Sequence, residues 1–82
     1  MIRHDHIDAR ACRTLWCAVF DAMLSDLNAP GHSAAADAAR RQAQVWFARG
    51  PDMLTVAALA GLDGRLIRER YLAGQIGPRR AA

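Results

Sequence analysis

The chain contains no lysine, two cysteines and few aromatic side chains: two Trp, two Phe and one Tyr. Nor does it hold a long apolar run, a glycine-rich loop, or the alternation of apolar and polar residues that marks a strand. Each absence closes something off. A membrane-spanning helix needs about 20 consecutive apolar residues, and the opening MIRHDHIDAR has none of the apolar stretch of a signal peptide. The expectation is therefore a cytoplasmic, nucleoid-associated chain with no membrane partner. Cys12 and Cys17 stand five apart in one helical pattern and point in different directions, so a bond between them needs distorted geometry. Without a phosphate-cradling loop, and with no base placed beside either thiol, an enzyme is not expected. A zinc site wants closely spaced ligand pairs such as C-x₂-C or H-x₃-H. His4, Asp5 and His6 near the terminus, with His32 far along the chain, read instead as solvated groups, and no metal or other cofactor is expected.

What is present is helix-forming. Eighty-two residues at 52% hydrophobic make a single domain near the lower end of what folds alone. Much of that apolar fraction is alanine, so the aromatics and the Leu, Ile, Val and Met side chains must fill the core. Three or four short helices exhaust them, leaving little room for an enclosed pocket. The formal net charge is +3, all of the positive charge being arginine. It is unevenly spread. Residues 1–33 carry Arg3, Arg10 and Arg13 against Asp5, Asp8, Asp21 and Asp26, whereas residues 64–82 carry Arg65, Arg68, Arg70, Arg79 and Arg80 against Glu69 alone. A C-terminal concentration of guanidinium groups is the electrostatic footprint of a polyanion partner.

Four helical segments follow from the spacing. Cys12, Leu15, Trp16, Val19, Met23 and Leu27 recur at three- and four-residue steps, a helix from Asp5 or Asp8 as far as Leu27. Cys17, Phe20 and Leu24 add a second apolar strip, a stripe wider than one neighbour needs. It suggests a central helix or a partner surface such as a homodimer. Pro30 and Gly31 stop it. Ser33 is a good cap for a second helix from Ala34 to about Arg49, with Ala39, Ala43, Trp46 and Phe47 on its apolar side. Gly50 and Pro51 end that helix; Asp52 is the candidate cap of a third, Met53 to Ala60. Asp63 caps a fourth, from Gly64 to about Ala73, with Gly74 as its stop. The expected fold is all-α, four short helices with a C-terminal helix-turn-helix, forming one DNA-binding domain over 1–82 with flexible ends at about 1–6 and 75–82.

The helix-turn-helix reading rests on residues 51–73. Two helices crossing steeply need a small residue where they approach, a role for Ala57, and a tight turn with a residue of positive φ, which Gly61 supplies. Val56, Ala60, Leu62, Ile67 and Tyr71 would close the small core between them. With Ile67 and Tyr71 inward, Arg65, Arg68 and Glu69 are expected on the outer face, entering the major groove. Arg65 and Arg68 suit guanine O6 and N7, and Glu69 suits cytosine N4. Arg70, the second-helix residues Arg40, Arg41 and Arg49, and the tail residues Arg79 and Arg80 are candidate phosphate contacts. Against this stands a simpler account: exposed Arg and Glu at these spacings also support helices that bind nothing.

The combination Trp46-Phe47, Asp52, Val56 and Ala60-Gly61-Leu62-Asp63 resembles small alphaproteobacterial phage and prophage-derived regulators, in particular the DNA-binding region of gene-transfer-agent activators of the GafA and GafY type. The similarity extends over residues 16–71 and is sharpest over 46–63. Relatives tend to carry Pro after the Leu-Asp pair, where this chain has Gly64, giving a less rigid helix start. The resemblance implies promoter activation with RNA polymerase, integration host factor, or a separate activator or antitermination chain. The competing class is a small helical protein-interaction module, a phage-encoded modulator of a host protein, motivated by the wide stripe of the first helix. A single-strand binder stacking bases on Trp16, Phe20, Trp46 and Phe47 is disfavoured, since aromatics on apolar helix faces usually form core.

Overall fold

The computed structural model describes residues 9–77, and among these it is all-helical: α1 Ala9–Leu27, α2 Ala34–Arg49, α3 Pro51–Leu59 and α4 Gly64–Leu72. The helices begin and end where the side chains allow. Ser33 takes an extended backbone and its hydroxyl accepts from the Ala36 N–H at 3.1 Å, with Asp37 in the first turn complementing the helix dipole. At the other end of α2 the chain turns through a single residue. Gly50 is both the last cap of α2 and the first cap of α3, and a Cβ there would lie 2.9 Å from the Trp46 backbone.

The start of α3 differs from the expectation. Pro51 opens the helix and Asp52 sits inside its first turn instead of capping it. The cause is proline's fixed φ and missing N–H, which suit the first helical position. The segment after α4 differs too. Gly74 and Gln75 close the end of α4, Ile76 packs against the core, and a Cβ on Gly77 would lie 3.3 Å from Leu27 Cδ2. Residues 75–77, expected to begin a free tail, are held down because Ile76 is the last apolar side chain within reach. The expected flexible ends at 1–6 and 78–82 lie outside the described residues.

The core gathers Phe20 and Leu27 of α1, Ala43 and Phe47 of α2, and Met53, Val56 and Ala57 of α3. Phe47, fully enclosed, is its hub. Phe20 meets it edge-on at 5.5 Å, Trp46 edge-on at 5.0 Å, and Tyr71 of α4 stacks at 5.6 Å. Such pairs add about 0.5–1.5 kcal/mol each beyond the area they bury. Three helices thus converge on one ring, which offsets the small volume that alanine provides. The wide stripe of α1 divides accordingly. Phe20 and Leu27 turn inward, Trp16, Met23 and Leu24 lie half-buried at the margin, and Leu15 stays 61% exposed. Both cysteines are free thiols, and Cys17 donates from Sγ to the Ala60 carbonyl at 3.5 Å, joining α1 to the end of α3. No helix among the described residues is long and apolar enough to cross a membrane.

Candidate nucleic-acid interface

Helices α3 and α4, nine residues each, are joined by residues 60–63. The corner is built by backbone hydrogen bonds. The Leu62 N–H reaches back to the Ala57 carbonyl at 2.8 Å and the Gly61 N–H to the Ala58 carbonyl at 3.1 Å. That 6→1 and 5→2 pair is a Schellman closure, which requires a left-handed residue after the last helical turn. Gly61 provides it at φ +80°. Asp63 then starts α4, its Oδ1 accepting from the Leu66 N–H at 3.2 Å. The two helices touch at small residues: Ala57 is fully buried, and a Cβ on Gly64 would lie 3.2 Å from Ala57 Cβ and 3.2 Å from Leu54 Cα. Gly64 therefore permits a close backbone approach. Of the residues expected between the helices, Val56 and Ala60 are buried, while Ile67 and Tyr71 are half-buried against the core. Leu62 is instead left 41% exposed.

The side chains of α4 divide in a way that spacing alone did not reveal. Arg65 and Glu69 are exposed, one turn apart on the outer side, and Arg70 is exposed beside them. Arg68 is not with them. Its Nε donates to the Phe47 carbonyl at 2.9 Å, and one terminal nitrogen donates to the Trp46 carbonyl at 3.2 Å and the Gly50 carbonyl at 2.5 Å. The physical reason lies in α2. A helix leaves its last carbonyls without N–H partners and carries partial negative charge there, and α4 packs against that end. Arg68 supplies donors to the Phe47 and Gly50 carbonyls, shares the Trp46 carbonyl with the Gly50 N–H, and is a clamp between helices, not a free base-reading group. Arg40 is likewise engaged, donating to Asp37 Oδ1 and to the Ala29 carbonyl.

Arg41 and Arg49 remain exposed on α2. Arg49 stands in the last turn of α2, next in sequence to Gly50, and Arg41 lies roughly 12 Å further back along the helix. Arg79 and Arg80 lie outside the described residues. Set beside family models, curated proteins and solved structures, the chain matches none of them.

Two features escaped the sequence reading. Arg13 of α1 is laid over the corner, so that a Cβ on Gly61 would come 3.2 Å from its Cδ and Nε. Nothing local marks that contact, because it depends on how α1 packs on α3. The second is an open apolar groove of about 370 Å³ between α1 and α3, lined by Trp16, Val19, Met23, Trp46, Thr55 and Val56 with Asp52 on its wall. The apolar stripe of α1 foretold a surplus; the groove's other wall comes from α2 and α3. Among the described residues no three of His, Cys, Asp or Glu gather in one place.

Proposed function

We propose that this chain is a sequence-specific double-stranded DNA-binding transcriptional regulator, with α3 and α4 acting as a helix-turn-helix and α4 entering the major groove. The observation that carries this reading is α4 itself. It buries no residue completely, presents Arg65 and Glu69 outward, and is fixed from behind by Arg68, Ile67 and Tyr71. A short, rigidly backed helix with an exposed Arg near its N-terminus is what base reading requires. Arg65 pairs with guanine O6 and N7, and Glu69 accepts from cytosine N4. Arg70, Arg49, Arg41 and Arg13 reach phosphates, which fix register without carrying sequence information. Arg68 and Arg40 leave the contact set because both are spent within the fold. The resemblance at residues 46–63 supports activation of phage-like or gene-transfer-agent promoters, acting with RNA polymerase, integration host factor or a separate activator chain.

Chromatin immunoprecipitation of the tagged chain in its host tests the reading. Sharp promoter peaks sharing one motif are expected. Arg65→Ala should then cost about 1–3 kcal/mol of specific affinity on that motif while the circular dichroism spectrum stays unchanged. Occupancy that survives the substitution would show the groove assignment to be wrong.

The groove between α1 and α3 favours a second reading, a helical protein-interaction module. On that reading a flat immunoprecipitation profile is expected, with a single abundant protein recovered alongside the chain. The ratio of specific to non-specific DNA affinity separates the two, because salt dependence is shared by every basic protein.

A further inference from the structure

The outer side of α4 is not purely ionic. Leu62 in the corner and Leu66 in the first turn of α4 are each 41% exposed, and Leu66 shares the exposed side of the helix with Arg65 and Glu69. Residues 65, 66 and 69 lie on the exposed side of α4, and Leu62 stands just before its extended cap residue, Asp63. Neither leucine belongs to the core contacts of α4, which fall to Ile67 and Tyr71. A single exposed leucine needs no explanation. Two at the N-terminal end of α4, one before its cap and one beside Arg65 in its first turn, with Arg70 on the same helix, do.

The major groove offers one apolar group on its base edges, the thymine C5-methyl, and it lies between rows of phosphate. An exposed leucine beside Arg65 in the first turn of α4, with Leu62 just ahead of it and Arg70 further along, suits that pattern of apolar and anionic groups. A docking protein would instead have to desolvate these arginines against acidic partners. We propose that Leu62 and Leu66 are specificity-determining residues that receive thymine methyl groups next to the guanine read by Arg65, an inference that rests on the DNA reading above. The preferred site then carries thymine adjoining that guanine, and the methyl itself, not only the pairing, is recognised.

Deoxyuridine provides the test. The wild-type chain selects its preferred duplex from a random pool, and each thymidine of the enriched sequence is replaced in turn by deoxyuridine, which removes one methyl and keeps base pairing. At one or two positions the replacement should weaken wild-type binding by about fourfold, the value of one buried methyl. At the same positions Leu66→Ala or Leu62→Ala should bind the thymine and uracil duplexes equally, with circular dichroism confirming that the variants fold. Wild-type binding indifferent to every replacement, or variants keeping the full methyl preference, would overturn the proposal. So would unchanged DNA affinity in variants that lose a protein partner, which would put the leucines on a protein surface. A selection that enriches no sequence sinks the DNA reading itself, and this inference with it.

Discussion

Replacing Arg68 with alanine separates a clamp from a base contact, because the two roles predict opposite patterns. The guanidinium holds the carbonyls of Phe47, Trp46 and Gly50 at 2.9, 3.2 and 2.5 Å. A hydrogen bond from an ionised donor contributes about 1.5–3 kcal/mol. The three here share one half-exposed group, and water reaches some of the carbonyls once it is gone, so they do not add. A loss of roughly 2–3 kcal/mol for the whole clamp is the reasoned figure. In a domain of this size each 1 kcal/mol moves the midpoint by about 4–8 °C, which gives a fall on the order of 10–20 °C for Arg68→Ala. Arg68→Lys keeps the charge but not the fork, and should land between the variant and the wild type. Thermal and urea unfolding followed by far-ultraviolet circular dichroism measures both. Arg65→Ala is the control: exposed on the same helix, it should stay within about 0.5 kcal/mol of wild-type stability. If Arg68→Ala melts within about 2 °C of wild type and selectively loses DNA, the clamp is not stabilising and Arg68 reads bases after all.

Two glycines at the corner yield further expectations. Gly61→Ala places a side chain at φ +80° and presses a Cβ to 3.2 Å from Arg13. It should lower stability by about 1–2 kcal/mol in urea titrations, the cost of a left-handed non-glycine residue. Gly64→Ala improves helix propensity yet forces a Cβ to 3.0 Å from Leu54 Cδ2 and 3.2 Å from Leu54 Cα. Overpacking should prevail, with a net loss of about 1–2 kcal/mol; a gain in stability would mean that α3 and α4 separate readily.

Local chemistry made the helices legible in the sequence. Ser33 and Asp63 cap where capping residues were expected, Gly61 turns where a positive φ was needed, and the apolar spacing of α2 foretold Ala43 and Phe47 in the core. What stayed hidden depends on packing between helices. Arg68 lies at a position compatible with the outer face, and it is the carbonyls where α2 passes into α3 that draw it inward. Leu62 looked like core because it is apolar and follows a turn glycine, yet it stays 41% exposed, its burial being decided by how α3 and α4 pack and not by the turn. Gly64 looked like a weak helix start in place of proline, when its missing Cβ is what lets α3 and α4 meet. Charge and apolarity were readable as quantities; their direction was not.

Withdrawing Arg68 from the contact set changes the affinity expected of one copy. On the proposed DNA reading, Arg65 and Glu69 are left as the polar base readers, and each good contact discriminates by about 1–3 kcal/mol. Two contacts supply roughly 2–6 kcal/mol, with a methyl or two adding on the order of 1 kcal/mol. Specific regulators exceed their non-specific binding by about 4–10 kcal/mol, so a lone α4 reaches only the lower part of that range. A second α4 on an adjoining half-site, one helical turn of DNA away, would double that to roughly 6–14 kcal/mol, enough to cover the upper part of the range. Exposed Leu15 and Val19, beside the groove of α1 and α3, offer a surface through which two copies can pair. Titration calorimetry on the selected duplex should therefore give two chains per site, and inserting five base pairs between half-sites should abolish tight binding by rotating one half-site to the far side of the helix (about half a turn). One chain per duplex at nanomolar affinity, unaffected by the insertion, would mean that contacts beyond α4 carry the specificity.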